Sequence, residues 1–220
     1  MAAFDSSLLV SKPFEASTIS ALEGYVKAQA SGGADYDFAA NKGLMKAYSV
    51  LERSIEANTD MMATIMALSL MKSPSTHFLQ LSYLVPGKLN AEDPKIATLI
   101  KCADMLERAQ FREFWNETKN ESIASVLAGI KNFEDGVRGF VLGVISKTFK
   151  NIDKATLCAN LGLSDNSVDA FLKTSNLVVA ASVGTNMIEF VAEEAGDAKG
   201  KEQNEIVFKI SQLGKLMASA

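Results

Sequence analysis

Leu106-Glu107-Arg108-Ala109-Gln110-Phe111-Arg112-Glu113-Phe114-Trp115, and after it Phe133-Glu134-Asp135-Gly136-Val137-Arg138-Gly139-Phe140, anchor the stretch Asp93–Val191 that decides the fold. In the first run Phe111, Phe114 and Trp115 recur at helical spacing. The second continues through Val141, Val144, Ile145 and Phe149 and predicts an amphipathic helix with Glu134, Asp135, Arg138 and Lys147 on its polar face. Beyond it Asp153 reads as an N-cap, Leu157, Cys158 and Leu161 as an inward face, and Gly162 as a stop. Ser164 caps a second helix with Val168, Phe171 and Leu172 inward, so Leu161–Ser164 is a turn of helix-turn-helix style. Leu177–Ala181 and Met187–Val191 read as two strands around a wing turn at Ser182–Asn186. Together these elements predict a winged helix over Asn151–Val191.

Upstream, helical periodicity dominates. Ile19, Leu22, Tyr25 and Val26 make one stripe, ended by Gly32-Gly33; Leu44, Tyr48 and Leu51 make a second, and Met61, Ile65 and Leu68 a third. A short helix after Ser73-Pro74 carries Phe78, Leu79 and Tyr83. Asp93-Pro94 is a start signal, an N-cap followed by proline at the first helical position, for the stripe Ile96, Leu99, Ile100, Ala103 and Leu106. Ile123, Val126, Leu127 and Ile130 follow. Short helices with tight breaks predict a helical-hairpin array. The expected fold is mainly α: a helical-hairpin repeat domain (1–130), then a winged-helix domain with its connecting helix and a small β-hairpin (131–195). A flexible link and C-terminal helix (196–220) close the chain, with Ile206, Ile210, Leu213 and Met217 on one side.

The composition narrows the function. A chain of 220 residues with 48% hydrophobic content can bury a sizeable core, and a net charge of −4 argues against gripping phosphate backbones as its main task. Cys102 and Cys158 lie in separate apolar patterns and read as small buried hydrophobes, and the single His77 has no partner for zinc. The N-terminal apolar run is too short for a signal peptide, and the richest apolar run, Met61–Met71, is too short for a membrane span. A soluble, cytoplasmic protein is expected.

A winged helix reads DNA with its second helix, which needs Arg, Lys, Asn or Gln facing out. Here the outward positions are Asp165, Asn166, Ser167, Asp169, Lys173 and Thr174, and the wing turn carries no basic residue. Sequence-specific DNA binding is therefore not expected. Lys147, Lys150 and Lys154 form either a weak RNA contact or a solvated helix end. Met61, Met62, Met66 and Met71 form either an adaptable surface or core filling, and Trp115 with Phe111 and Phe114 a packing anchor. Catalysis has no candidates: no glycine-rich phosphate loop, no nucleophile elbow, and in Glu193-Glu194 a pair of carboxylates without a pocket. No catalytic, cofactor or metal residue is expected.

At this point Leu106–Trp115, Phe133–Phe140 and Ile152-Asp153 before the winged helix resemble the subunit k family of eukaryotic translation initiation factor 3. The likeness is clearest from about Ala91 to Val191. It implies a PCI-type fusion of helical repeats and winged helix, in the manner of scaffold subunits of the proteasome lid and the signalosome. It further implies a non-catalytic place beside the larger subunit l, reaching the small ribosomal subunit indirectly. The partner surface would use the strand residues Val178, Val179, Ile188 and Phe190, whose edges are open to strand pairing. Ile206, Ile210, Leu213 and Met217 either join that surface or fold back onto their own domain.

Overall fold

The computed structural model describes residues 14–51, 55–87, 93–174, 179–181 and 187–190. Among the described residues seven helices come first: α1 (Ala16–Ala30), α2 (Phe38–Leu51), α3 (Ile55–Leu70), α4 (His77–Ser82), α5 (Pro94–Glu107), α6 (Phe111–Glu117) and α7 (Glu121–Ala128). The long α8 (Phe133–Thr148) leads into β1 (Asn151–Asp153), α9 (Lys154–Leu161), α10 (Asp165–Thr174), β2 (Val179–Ala181) and β3 (Met187–Phe190). The predicted class holds: mostly helix, with a small antiparallel sheet at the C-terminal end of the described chain.

Helix starts follow from side chains that accept the otherwise unpaired first amides. Asp37 takes the amides of Ala39 and Ala40 at 2.9 and 3.1 Å. Asp93 takes those of Lys95 and Ile96 at 2.8 and 3.2 Å, with Pro94 at the first helical position. Asn120 starts α7 by accepting from Ser122, and Asp153 starts α9 by accepting from Thr156. Gly162 ends α9 in the left-handed region, φ 62°, as glycine allows.

The apolar stripes of α1, α2 and α5 face inward, with Leu22, Val26, Leu44, Tyr48, Ile96, Leu99, Ala103 and Leu106 buried and Ile19, Tyr25, Leu51 and Ile100 half-buried, but the stripe on α3 is too narrow. Met62, Ala63, Met66, Ala67 and Leu70 are buried along with Ile65 and Leu68. A helix apolar on every side has to be surrounded, and α3 packs against α1, α2, α4, α5 and α7. Met62 and Met66 are therefore core filling, with Met61 and Met71 half-buried beside them. One polar pair lies inside this core: Gln29 and Asn41 exchange two amide hydrogen bonds of 3.0 and 3.1 Å, and Gln29 also accepts from the Asp37 amide.

The winged helix has one strand more than the sequence predicts. β3 is central, antiparallel to β1 on one side and β2 on the other. Its partners are Asn151↔Glu189, Ile152↔Ile188 and Asp153↔Met187 on the first side. On the second they are Val179↔Phe190, Ala180↔Glu189 and Ala181↔Ile188. Three residues with Ile152 as the sole apolar side chain carry no readable alternation, and β1 ends where Asp153 turns to cap α9.

Several side chains also differ from expectation. Phe140 and Val144 are half-buried and point toward α3–α6, where they line a groove with Leu70, Phe78 and Phe111. The face of α8 that is fully buried is Phe133, Val137, Val141, Leu142 and Ile145. Phe171 is half-buried rather than core. Phe149, predicted to continue the stripe, has left the helix for extended backbone and is 49% exposed. On α4 the buried residue is Leu81, whereas Leu79 and Tyr83 face out. Val178, Glu193, Glu194, Ile206, Ile210, Leu213, Met217, the wing turn and the start of the chain lie outside the described residues.

Candidate interaction surfaces

Among the described residues, a joint between α6, α8 and α9 holds the winged helix against the helical array. Trp115 of α6 donates its indole N–H to the Asn160 carbonyl at 2.8 Å, and Arg138 of α8 donates to the Leu161 carbonyl at 3.2 Å. The Arg138 guanidinium lies 5.2 Å over the Trp115 ring and also pairs with Glu134 and Asp135. These bonds take up the last carbonyls of α9, which a helix leaves unpaired. The aromatic run singled out in the sequence is thus a packing anchor: Phe114 is fully buried and meets Trp115 edge to face, and Phe111 is buried beside them.

The outward face of α10 matches the sequence reading. Val168 and Leu172 point inward while Asp165, Asn166, Ser167, Asp169, Lys173 and Thr174 are exposed. Lys154 Nζ lies 2.8 Å from Asp169, and this bond above all raises the lysine pKa. Asp165 accepts from the Cys158 thiol at 3.1 Å; burial first, and that bond second, push the thiol up to about 11. A phosphate approaching this helix meets the Asp165 carboxylate turned outward, a lysine already paired with Asp169, and Lys173 as the one basic residue of α10 itself. Lys147 and Lys150 are exposed, and Lys154 is paired with Asp169.

The strand surface needs correction. Ile188 and Phe190 are each 5% exposed, and β3 is hydrogen-bonded on both sides. Neither the Ile188 and Phe190 side chains nor the backbone of 187–190 can meet a partner without dismantling the sheet. The outer sides of β1 and β2 are the open edges among the described residues, and Val179 lies on the second of them. Met187 is 42% exposed. The Phe190 amide donates to the Lys150 carbonyl at 2.9 Å, so the chain leaves the sheet beside the C-terminal end of α8.

Burial first, then the Glu117 charge, pushes the Cys102 thiol up to about 12, which suits a buried small hydrophobe. His77 stacks on Phe38 at 3.9 Å, with its Nδ1 3.3 Å from the Tyr36 hydroxyl. Among the described residues no group of His, Cys, Asp or Glu is placed to hold a metal ion, and no helix is long and apolar enough to cross a membrane. The apolar groove at Phe140 and Val144 was not legible in the sequence. Both residues sit in a helical stripe, and only the packing decides which side of the stripe is covered.

With this geometry in place, comparison with known proteins gives a consistent picture. Residues 56–199 match the model of the CSN8/PSMD8/EIF3K family. The chain is 35% identical over 155 residues to a Drosophila erecta protein named eukaryotic translation initiation factor 3 subunit K, covering 69% of this chain and 66% of that one. A Dictyostelium discoideum protein of the same name is 35% identical over 132 residues, 60% of this chain and 51% of that one. The match to the Drosophila sechellia protein of that name is longer: 32% identity over 200 residues, 90% of this chain and 84% of the relative. The first two alignments thus span less than two thirds of those relatives' own lengths.

Proposed function

The chain belongs to the CSN8/PSMD8/EIF3K family, and from that premise we propose that it is a non-catalytic architectural subunit of eukaryotic translation initiation factor 3. It acts in the cytoplasm by protein–protein contacts during initiation at the small ribosomal subunit, with subunit l as its principal neighbour. The observation that carries the reading is the outward face of α10, where Asp165 and the Lys154–Asp169 pair stand where a DNA-reading helix would present bare cations. A winged helix with that face is suited to protein neighbours. The division into a repeat domain to residue 130, a winged helix with α8 to 195 and a C-terminal segment is part of this proposal. So is the partner surface, which rests on the outer edge of β2 at Val179, together with Val178 and the stripe Ile206, Ile210, Leu213 and Met217 that lie outside the described residues.

Native affinity purification of the tagged chain tests the assignment. Co-purifying initiation-factor subunits, subunit l among them, are the expected outcome. The family description also covers scaffold subunits with other names, so recovery of proteasome-lid or signalosome subunits in their place would move the chain to that branch. Recovery of chromatin proteins would overturn the scaffold reading.

A further inference from the structure

Where α8 ends, an aromatic ring stands in water between two lysines. Lys147, Thr148, Phe149, Lys150 and Asn151 are all exposed, and Phe149 would continue the buried stripe of α8 had the helix not stopped at Thr148. Instead Phe149 takes extended backbone, φ −116° and ψ 131°. Its residue is pinned on both sides. The Phe149 amide donates to the Ile145 carbonyl at 2.9 Å, and the Lys150 carbonyl accepts from the Phe190 amide at 2.9 Å. The inner side of the adjoining sheet is already filled by Ile152, Ile188 and Phe190. An aromatic ring held outside the core by bonded backbone is surface set up for contact.

We propose that Lys147, Phe149, Lys150 and Asn151 form a contact site for single-stranded nucleic acid. Such a strand offers unstacked bases, which lie on aromatic rings, and phosphates, which sit on cations. The order cation, ring, cation in Lys147, Phe149 and Lys150 repeats the order phosphate, base, phosphate along the strand. An acidic peptide would take the lysines and leave the ring bare. Neither lysine is held in an ion pair among the described residues, whereas Lys154 is held by Asp169. A duplex fits less well, because its bases are stacked on one another and offer the ring no free face.

The sheet beside the ring extends the site. Ile152 and Ile188 pair on its inner face, so Asn151, Asp153, Met187 and Glu189 share the outer one. Asn151 brings an amide with both donor and acceptor for a base edge, and Met187 a second apolar ledge, 42% exposed. Two carboxylates share this face. Asp153 is engaged in capping α9 through the Thr156 amide, which leaves the half-buried Glu189, across from Asn151, to oppose an approaching phosphate. The site lies on a different surface from the outward face of α10 and does not depend on which assembly holds the chain.

Fluorescence anisotropy of a labelled, mixed-sequence oligoribonucleotide, titrated with the full chain at about 50 mM salt, tests this. Phe149→Ala should weaken binding about fivefold or more, the loss of one base–ring stack, and Phe149→Tyr should keep it. Lys147→Ala and Lys150→Ala should each weaken binding and flatten its log–log salt dependence by about 0.7, one phosphate contact apiece. Lys154→Ala should change little, and Glu189→Gln should tighten binding. The duplex of the same sequence should bind more weakly than the single strand. Tighter binding of the ribo form than of the deoxy form assigns the site to RNA, and the reverse to single-stranded DNA. Absence of binding at low salt, or binding that Phe149→Ala leaves unchanged, overturns the proposal. If Phe149→Ala spares RNA binding but removes co-purifying subunits, the ring belongs to a protein neighbour instead. The titrations use the free chain, so their failure leaves the proposed place in the initiation factor untouched.

Discussion

The Arg138 guanidinium lies 5.2 Å over the Trp115 ring while both side chains donate to α9, Trp115 to the Asn160 carbonyl and Arg138 to the Leu161 carbonyl. Two residues from two helices thereby cap the end of a third, and the winged helix cannot turn on the array without breaking both bonds. Arg138 itself is held by Glu134 and Asp135, one turn back on the same helix. The scaffold role proposed above calls for such a rigid joint, because a loose one would blur the relative placement of its contacts.

Gly162 is the most sensitive point of this joint. Its φ is 62°, and a Cβ there would sit 2.8 Å from the Trp115 ring. Left-handed backbone costs a non-glycine residue about 1–2 kcal/mol, and an overpacked contact adds about 1–3 kcal/mol. Gly162→Ala should therefore lower the urea midpoint by an amount equivalent to at least about 2 kcal/mol, the lower end of that sum. A midpoint equal to that of the parent would mean that the ring and α9 are not in contact.

The two kinds of phenylalanine should separate cleanly. Phe114 is fully buried, so Phe114→Ala should cost about 3–5 kcal/mol. Phe140 and Phe171 are only half-buried, and Phe140→Ala or Phe171→Ala should cost about half of that or less. Chemical denaturation of the three variants checks the order, and equal losses would contradict the placement of α8.

Gln29 and Asn41 act as a unit. Asn41→Leu leaves the buried Gln29 amide without its partner, a loss of about 1–3 kcal/mol. Gln29→Leu should be similar, and the double variant should lose less than the two single losses added together. Strict additivity in a double-mutant cycle would argue against the paired geometry.

Among the described residues, Glu117 is a source of acid sensitivity. The Lys101 ammonium, 2.8 Å from Glu117, is the main cause that holds the Glu117 carboxyl below its ordinary 4.5, with burial working against it. A depressed carboxyl pKa contributes stability that is complete above the unfolded value and disappears as pH falls through the folded one. Glu117→Gln should therefore cost about 1 kcal/mol or less at pH 7, and the gap to the parent should close as pH drops well below 4.5. A gap that persists in acid would point to lost packing instead of lost charge.

Duplex binding should be weak and soon lost with salt. The exposed cations next to α10 are few and one is paired, so any low-salt binding rests on a handful of phosphate contacts and falls steeply as salt rises. Titration of duplex DNA at low salt and at about 150 mM salt measures this. Tight, sequence-selective binding at the higher salt would be incompatible with the face described for α10.

Much of the fold was legible in local chemistry. Asp93-Pro94, Asp153 and Gly162 mark helix ends because caps and left-handed stops are decided within a few residues. The stripes of α1, α2 and α5 were readable for the same reason, as was the acidic outward face of α10, since a helix period fixes which residues share a side. The resemblance to the initiation-factor family also rested on sequence alone. What only the tertiary structure decided is which side of an ambiguous element is covered and what pairs across distance. Ile152 becomes a strand residue because β3, some 35 residues later, lies beside it; α3 is buried all round because five helices converge on it; and Phe140 turns to a groove because α9 takes the neighbouring face of α8. Spacing along the chain carries local geometry, but packing is a competition among distant surfaces for the same contacts, and that competition is settled only when the chain has folded.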